Sequence, residues 1–180
     1  MHEDDLRILS SEPLELDRVD TQLLQAIQLD AKASLAALGE IVGLSAPAVM
    51  ERIKKLEQAG AILGYHAHVD GRRVGLDIAA FIGVAVPAPE GMADIERWGR
   101  DRPEVLECHH VTGAYTLLLK VKARNTRALE ALVNALRSMD SVRATDTMVV
   151  FSTGFERTPV PIDVPTEEAS KRRRNKKNAS

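Results

Sequence analysis

The stretch Val42–Gly60, VGLSAPAVMERIKKLEQAG, decides the fold of the first third of the chain. Ser45 is a favoured residue for capping a helix, and Pro47 follows in the first turn, where a missing N–H costs nothing. Gly43 before the helix and Gly60 after it suit the left-handed positions at which helices end. Apolar residues spaced by four and three predict its buried face: Val49, Ile53 and Leu56. The stretch therefore predicts a tight turn and a short helix with a firmly specified start.

Two further helices are predicted before this one. From Leu16 apolar residues recur at helical spacing: Leu16, Val19, Leu23, Leu24 and Ile27. Ser34 can cap a second helix that ends at Gly43. That helix is expected to bury Leu35, Leu38, Ile41 and Val42. Three short helices, the last two joined by a glycine turn, are typical of a helix-turn-helix, which we assign to residues 14–61.

The remaining pattern predicts an α+β protein. Residues Leu63–Asp70 alternate with period two, which predicts a linker strand within a hinge at 62–73. Residues 74–156 give the order β-α-β-β-α-β of a ferredoxin-like domain, in which we expect two parallel strand pairs joined through helices. The fold class is therefore an N-terminal helix-turn-helix, a linker strand and a C-terminal ferredoxin-like βαββαβ domain. Residues 1–13 are expected to form a flexible extension, and 157–180 a flexible basic tail.

Composition narrows the class of protein. Apolar residues make up 44% of the chain but aromatic residues only 3%, so the core has to be built from aliphatic side chains. The single cysteine, Cys108, excludes an internal disulfide and fits a reducing compartment. The longest apolar stretch contains a proline and is too short to span a bilayer. We therefore expect a cytoplasmic protein with no membrane partner. We also expect no cofactor and no metal.

The helix-turn-helix predicts double-stranded DNA as a partner. The second helix of this motif enters the major groove with its N-terminal turn leading. The candidate DNA-binding residues are Ser45, Ala46, Pro47, Ala48, Met50, Arg52, Lys54 and Lys55. The small and apolar ones can approach thymine methyls, whereas Arg52 and at least one lysine are expected to meet phosphates. Few of them can form bidentate hydrogen bonds with bases, so we expect a large contribution from DNA shape.

The net charge of the helix-turn-helix region argues against strong binding of DNA by a single copy of the chain. Residues 14–64 hold seven acidic and five basic side chains, a net charge of -2, and lack the usual basic footprint. Two modules paired in a dimer would compensate for weak single contacts. An apolar sheet face predicted at Leu118, Val149 and Phe151 gives a reason for such pairing. The chain is therefore expected to form a homo-oligomer.

From about Leu16 to Phe155 the chain resembles the Lrp/AsnC family of feast/famine transcription regulators. The resemblance covers LDRVDTQLLQAIQLDAKASLAALGEIVGLSAPAVMERIKKLEQAGAILGY in the first half and ECHHVTGAYTLLLKV in the second. It implies an N-terminal helix-turn-helix and a ferredoxin-like domain that forms dimers and larger assemblies. It also implies that a small ligand, commonly an amino acid, binds between the C-terminal domains.

One turn departs from the family's pattern. Members often have Gly-Asp-x-Asp where this chain has Gly113-Ala114-Tyr115-Thr116. An amino-acid ammonium group favours a carboxylate partner, so the loss of both acidic residues weakens the case for such an effector. The candidate effector-binding residues are, by position, Thr112, Gly113, Ala114, Tyr115 and Thr116.

Three functions stay open on the sequence alone. The first is a regulator of transcription that responds to a small molecule and is not an enzyme. The second is an enzyme similar to the tetrapyrrole decarboxylases, which use the same two-domain plan with histidines near the substrate. The third is a protein that organises DNA with low sequence specificity. The intact helix-turn-helix, with Gly43 and Arg52 in place, favours DNA binding over the enzyme.

Overall fold

The computed structural model describes residues 13–163, which form two compact units. The first unit combines residues 13–67 with the C-terminal segment 156–163, and the second comprises residues 68–155. No helix among the described residues is long and apolar enough to cross a membrane. Residues 1–12 of the extension expected at 1–13, and residues 164–180 of the basic tail expected at 157–180, lie outside the described residues.

The first unit contains the three expected helices, α1 (Arg18–Leu29), α2 (Leu35–Val42) and α3 (Ala46–Gln58). The first begins two residues later than Leu16, because Asp17 caps it. The Asp17 carboxylate accepts a hydrogen bond from the backbone N–H of Asp20, and the Asp20 carboxylate accepts one from the N–H of Asp17. This reciprocal capping box satisfies two donors that a helix start leaves unpaired.

The core of the first unit is aliphatic, as its composition requires. Its buried members are Leu23, Ile27, Leu38 and Val49. The prediction that α2 buries Ile41 is wrong, since 56% of this side chain is exposed. Close approach explains the difference: a Cβ added at Gly39 would lie 2.4 Å from the carbonyl oxygen of Leu44. The face of α2 that contains Gly39 therefore turns inward, and Ile41 lies outside it.

The predicted linker strand does not form. Residues 62–70 have neither helical nor strand structure, and a short 3-10 helix at Gly71–Val74 follows them. The apolar side chains of the alternating pattern are exposed, with Leu63 94% and Val69 56% accessible. Alternation alone does not make a strand, because a strand requires a neighbour for its backbone hydrogen bonds. The described part of the chain offers this segment none.

The second unit has the predicted βαββαβ order. Its elements are β1 (Ile78–Ala85), α4 (Pro89–Arg100), β2 (Val105–His110), β3 (Leu117–Ala123), α5 (Thr126–Arg137) and β4 (Ala144–Val149). The strands lie in the order β2-β3-β1-β4, and every neighbouring pair is antiparallel. The two strands of each strand-helix-strand unit, β1 with β2 and β3 with β4, are both antiparallel to the strand that lies between them. They therefore run parallel to each other, as the sequence predicts, without being neighbours.

One face of this sheet is covered by helices and the other is open. Between the covered face and the helices lie Ile82 of β1, Leu119 of β3 and Leu136 of α5, all fully buried. Alternate residues of β3 point the other way, so Leu118 lies on the open face as expected. The assignment of Val149 to that face is wrong, because Val149 pairs with Ala80, a member of the covered core. Met148 lies there instead, opposite Phe81.

Candidate nucleic-acid interface and effector region

The turn before α3 has the geometry that its sequence predicts. Gly43 ends α2 with φ of 71°, in the left-handed region that glycine adopts without strain. Pro47 lies in the first turn of α3, after the N-cap residue Ser45. Ser45 differs from the expectation in one respect: its side chain makes no capping hydrogen bond. The start of α3 is therefore fixed by the glycine turn and the proline rather than by the serine hydroxyl.

The surface of α3 presents most of the predicted DNA-binding residues to solvent. Val49 and Leu56 are buried, so the opposite face of the helix is the accessible one. The exposed candidates are Ser45, Pro47, Met50, Lys54 and Lys55, whereas Ala46, Ala48 and Arg52 are partly buried. Met50 is 57% exposed, a large apolar side chain in water with no packing role evident. This surface combines apolar groups at the helix start with lysines further along.

Arg52 takes part in an ion-pair cluster inside the unit. Its Nη1 atom lies 2.5 Å from Oδ2 of Asp17 and 2.8 Å from Oδ1 of Asp20. The hydrogen bond with Asp17 raises the pKa of Arg52 above its usual value. Asp20 adds to this increase, whereas partial burial opposes it. Burial raises the pKa of Asp17, but the hydrogen bonds from the Asp20 N–H and from Arg52 outweigh it and leave that pKa below its usual value. Arg52 thus joins α3 to the capped start of α1.

The two lysines of α3 have different surroundings. Lys55 Nζ lies 3.0 Å from Oε1 of Glu51, one turn earlier, in an exposed pair. Among residues 13–163 Lys54 has no carboxylate within ion-pair distance. Exposed pairs of this kind exchange readily for other contacts, because they contribute little to stability. Both ammonium groups are therefore available to a phosphate.

In the second unit, the predicted effector turn joins β2 to β3. Thr112, Gly113 and Ala114 are exposed, and Gly113 has φ of 117°. Thr116 closes the turn: its hydroxyl accepts a hydrogen bond from the N–H of Val86 at 3.1 Å. The structure thus brings the five candidates together as one loop at the edge of the sheet.

Tyr115 leaves this loop and lies across the open face of the sheet. A Cβ added at Gly83 would approach the Tyr115 ring to 2.6 Å, so the ring rests directly on the backbone of β1. The Tyr115 hydroxyl donates a hydrogen bond of 2.6 Å to Oδ2 of Asp146. This bond, with some burial, raises the pKa of Tyr115. Glycine at position 83 is what leaves room for the ring.

Asp146 contacts this region through Tyr115, and sequence reasoning missed it. It lies on β4, far from the turn in sequence, and pairs with Gly83 in the sheet. The turn lacks the family's acidic residues, but tertiary folding places the Asp146 carboxylate at the end of the Tyr115 side chain. Only the sheet register connects the two positions, so a search for motifs along the chain had no signal to find.

The two histidines near this region, His109 and His110, each contact a glutamate carboxylate. His109 Nε2 lies 2.9 Å from Glu107, which also accepts from Lys120 Nζ at 2.9 Å. His110 Nε2 contacts Glu96 at 2.5 Å. No group of three or more potential metal ligands occurs within the described residues 13–163. Burial raises the pKa of Cys108 to about 11, so its thiol is protonated and unreactive near neutral pH.

These two regions define a class: a DNA-binding helix-turn-helix unit combined with a ferredoxin-like unit that has an open sheet face. Protein-family models match each of the two units separately. Residues 16–57 match the AsnC-type helix-turn-helix domain, and residues 79–160 match the Lrp/AsnC ligand binding domain.

Similar proteins of full length share this plan. The HTH-type transcriptional regulator FL11 of Pyrococcus horikoshii is 32% identical over 82% of this chain and 97% of its own length. The regulatory protein AsnC of Escherichia coli is 30% identical over 81% of this chain and 97% of its own.

Solved structures agree. Escherichia coli AsnC superimposes with a TM-score of 0.74 at 28% identity, covering 81% of this chain and 98% of that one. A transcriptional regulator of Neisseria meningitidis, solved as its complex with L-Met, gives 0.77 at 30% identity, covering 81% and 96%. The chain therefore belongs to the Lrp/AsnC family of DNA-binding transcriptional regulators, which are not enzymes.

Proposed function

We propose that this regulator reads DNA with the exposed surface of α3, and that Arg52 positions the helix rather than contacting DNA. The observation that supports this division of roles is the ion-pair cluster of Arg52 with Asp17 and Asp20. Two carboxylates beside one guanidinium leave a net negative charge, which does not attract a phosphate. Lys54 and Lys55 have no such pair of carboxylates and are the better phosphate contacts.

The start of α3 is proposed to enter the major groove. The backbone N–H groups of its first turn attract phosphate, and Pro47 fixes their direction. Ala46, Ala48 and Met50 can contact thymine methyls, but none of the three offers a bidentate hydrogen bond to a base. We therefore expect modest base readout, with DNA shape contributing much of the specificity.

Two copies are proposed to pair through the open sheet face of the second unit. Met148 of β4 on this face is 43% exposed, and Leu118 lies on the same face two strands away, in β3. Pairing removes this apolar surface from water and doubles the number of helix-turn-helix units on one DNA molecule. A two-fold assembly matches a pseudo-palindromic site. Action on a genome also accords with a location in the cytoplasm.

A small molecule with an ammonium group is the proposed effector. The solved Neisseria relative carries L-Met, an amino acid. In this chain Asp146 supplies the carboxylate that the turn Thr112–Thr116 lacks, and Tyr115 holds it by a 2.6 Å hydrogen bond. An ammonium at Asp146 would form a charge-assisted hydrogen bond with it. The effector region is therefore proposed to combine the turn with Asp146.

Gel shifts test the DNA-binding proposal. The chain should retard genomic fragments from promoters at lower concentration than scrambled fragments of equal length, at every salt concentration in a series. Equal affinity for both would instead favour the low-specificity DNA-organising function. A parallel thermal scan with each free amino acid tests the effector, because a ligand that binds only the folded state raises the melting temperature. Asp146→Asn should abolish that rise; a rise that persists in this variant removes Asp146 from the site.

A further inference from the structure

Three polar side chains form a hydrogen-bonded cluster on the open face of the sheet. Lys120 Nζ donates to Oε1 of Glu107 at 2.9 Å, and His109 Nε2 lies 2.9 Å from Oε2 of the same carboxylate. An ionised carboxylate only accepts hydrogen bonds, so His109 carries a proton on Nε2. We call Glu107, His109 and Lys120 the open-face cluster.

The register of β2 places the cluster on this face. A register shift between Val105 and Glu107 marks a bulge in the strand, and a bulge changes the direction of the side chains that follow it. Beyond the bulge, Glu107 lies opposite Lys120 of β3, and His109 lies opposite Leu118. The cluster therefore borders Leu118, an apolar side chain that the proposed pairing of two copies removes from water.

Further apolar side chains adjoin the cluster toward the middle of the sheet. Lys120 lies opposite Phe81 of β1, and Phe81 lies opposite Met148 of β4. The side chain of Lys120 is only 24% exposed, compared with 42% for Glu107 and 54% for His109. The cluster thus runs from the half-covered middle of the open face to its edge at β2. A second copy that covers Phe81 and Met148 would also remove water from the cluster.

Only one member of the cluster changes its charge between about pH 5 and pH 8. Hydrogen bonds from His109 and Lys120 outweigh partial burial and hold the pKa of Glu107 below its usual value, so Glu107 is ionised throughout this range. A lysine ammonium group keeps its charge there as well, whereas histidine is the side chain that titrates. The cluster is therefore neutral while His109 is neutral, and it becomes positive when His109 takes up a second proton.

The other charged groups of the open face do not offset this proton. Lys122 follows on the same face of β3 and is itself a cation. β1 contributes no charged residue. The carboxylate of Asp146 lies on β4, at the opposite edge of the sheet from β2, and it accepts a hydrogen bond from the Tyr115 hydroxyl. The charge of a protonated His109 therefore depends on Glu107 and on water for its stabilisation.

We propose that protonation of His109 controls the pairing of two copies through the open sheet face, and that pairing is tighter while His109 is neutral. This inference rests on the proposed pairing. In a single chain, water screens the additional charge of the cluster. In a pair that charge is desolvated, and two-fold symmetry brings the same cluster of the second copy onto the same surface. Burial of two uncompensated positive charges opposes pairing, so pairing is linked to the release of protons.

Within one chain the same proton has the opposite effect. A protonated His109 makes a charge-assisted hydrogen bond with Glu107, which is stronger than the neutral one. Protonation of His109 therefore does not weaken the fold of the second unit. A fall in pH should separate the copies while each copy stays folded, and this combination distinguishes a switch at the pairing surface from acid unfolding.

Sedimentation velocity of the full chain over a pH series tests the proposal. The dissociation constant of the wild type should rise at least about tenfold between about pH 8 and pH 5.5, because a change of one pKa unit at one site corresponds to a factor of ten. His109→Gln keeps an amide that can donate to Glu107 but takes up no proton. This variant should pair at about pH 5.5 as tightly as the wild type pairs at about pH 8.

His110→Gln is the matched control. His110 is the next residue of β2, but it contacts Glu96 of α4 instead of the cluster. His110→Gln should keep the pH dependence of the wild type. Glu107→Gln is a second variant, which leaves the charge of Lys120 without its carboxylate. Its pairing should be about tenfold weaker than that of the wild type even at about pH 8.

Each outcome supports or overturns the switch. A wild-type dissociation constant that does not change with pH overturns it, as does a full pH response in His109→Gln or wild-type pairing of Glu107→Gln at about pH 8. Circular dichroism of the same samples reports the fold, and unfolding of the wild type at the pH where pairing is lost also overturns the switch. A wild type that stays a single chain at every pH overturns the proposed pairing together with this inference. Pairing that ignores pH overturns the inference alone.

Discussion

Arg52 Nη1 in α3 lies 2.8 Å from Oδ1 of Asp20 in α1, and Asp20 is 14% exposed. The pair connects the helix proposed to read DNA with the helix behind it. Asp20 also belongs to the capping box of α1, through its contact with the N–H of Asp17. The Asp20 carboxylate thus both caps the start of α1 and holds Arg52 of α3.

Arg52→Ala should lower the stability of the first unit by about 1 kcal/mol, because it leaves two carboxylates without their cation in a partly exposed setting. DNA affinity should fall, since α3 loses a contact that orients it. The salt slope of binding should stay unchanged, because the lost contact is not to phosphate. Urea unfolding and an anisotropy salt series measure the two effects. A slope that falls by about one unit would make Arg52 a phosphate contact, as the sequence alone suggests.

Lys54→Ala is the matched comparison on the same helix. Lys54 is exposed and has no ion pair within the described residues, so its removal should leave stability within about 0.5 kcal/mol of the wild type. Binding should weaken equally for all DNA sequences, with a slope reduced by about one unit. Titration of a specific and a scrambled duplex in the same salt series checks this. A change confined to the specific duplex would indicate a base contact instead.

Asp17→Asn should show how much the charge of Asp17 contributes to stability, because that contribution depends on pH. Asparagine also caps helices well, so the variant keeps the cap and loses the charge attraction to Arg52. Asp17 has a lowered pKa in the folded state, so its contribution is present above its unfolded pKa, about 3.9. It is lost as the pH falls through the folded pKa.

The stability gap between wild type and Asp17→Asn should accordingly be about 0.5 kcal/mol at neutral pH, since the pair is half exposed, and shrink below about pH 4. Urea unfolding at a series of pH values measures this gap. A gap that stays constant down to pH 2 would show that hydrogen-bond geometry, rather than charge, decides the role of Asp17.

Gly43→Val should cost about 1–2 kcal/mol. The glycine has φ of 71°, and a β-branched residue resists the left-handed region even though a Cβ there would meet no atom within 4 Å. Gly43→Asn is the control, because asparagine tolerates this conformation. Thermal unfolding of both variants, with DNA affinity measured alongside, tests the turn. If valine and asparagine behave alike, backbone strain at Gly43 does not limit this turn.

Met148→Lys should weaken self-association. Met148 is 43% exposed on the open sheet face, and two such lysines brought together would repel across a desolvated surface. Sedimentation velocity should show a shift toward the single chain at micromolar concentration. Leu29→Lys is the matched control, an apolar residue 83% exposed on α1 of the first unit. If Leu29→Lys dissociates the assembly and Met148→Lys does not, the pairing surface lies elsewhere.

Local rules in the sequence predicted most of the elements. Gly43 and Pro47 predicted the start of α3, and the apolar spacing of Val49 and Leu56 predicted its buried face. These are interactions within a few residues, so their physical causes can be read along the chain. The start of α5 has a cause of the same local kind, because the Asn125 side chain caps this helix by accepting a hydrogen bond from the Ala128 N–H at 2.9 Å. The order βαββαβ followed from such segments taken together.

Contacts between distant residues were decided by the tertiary structure alone. The period-two pattern at Leu63–Asp70 predicted a strand, but strand formation depends on a partner that the pattern does not encode. Arg52 carried the sequence signature of a phosphate contact, and only folding showed its carboxylate partners 32 and 35 residues away. Asp146 reaches Tyr115 through sheet register, and Val160 reaches Gln28 across 132 positions. Propensity and periodicity describe single elements, whereas these pairings arise when the elements pack.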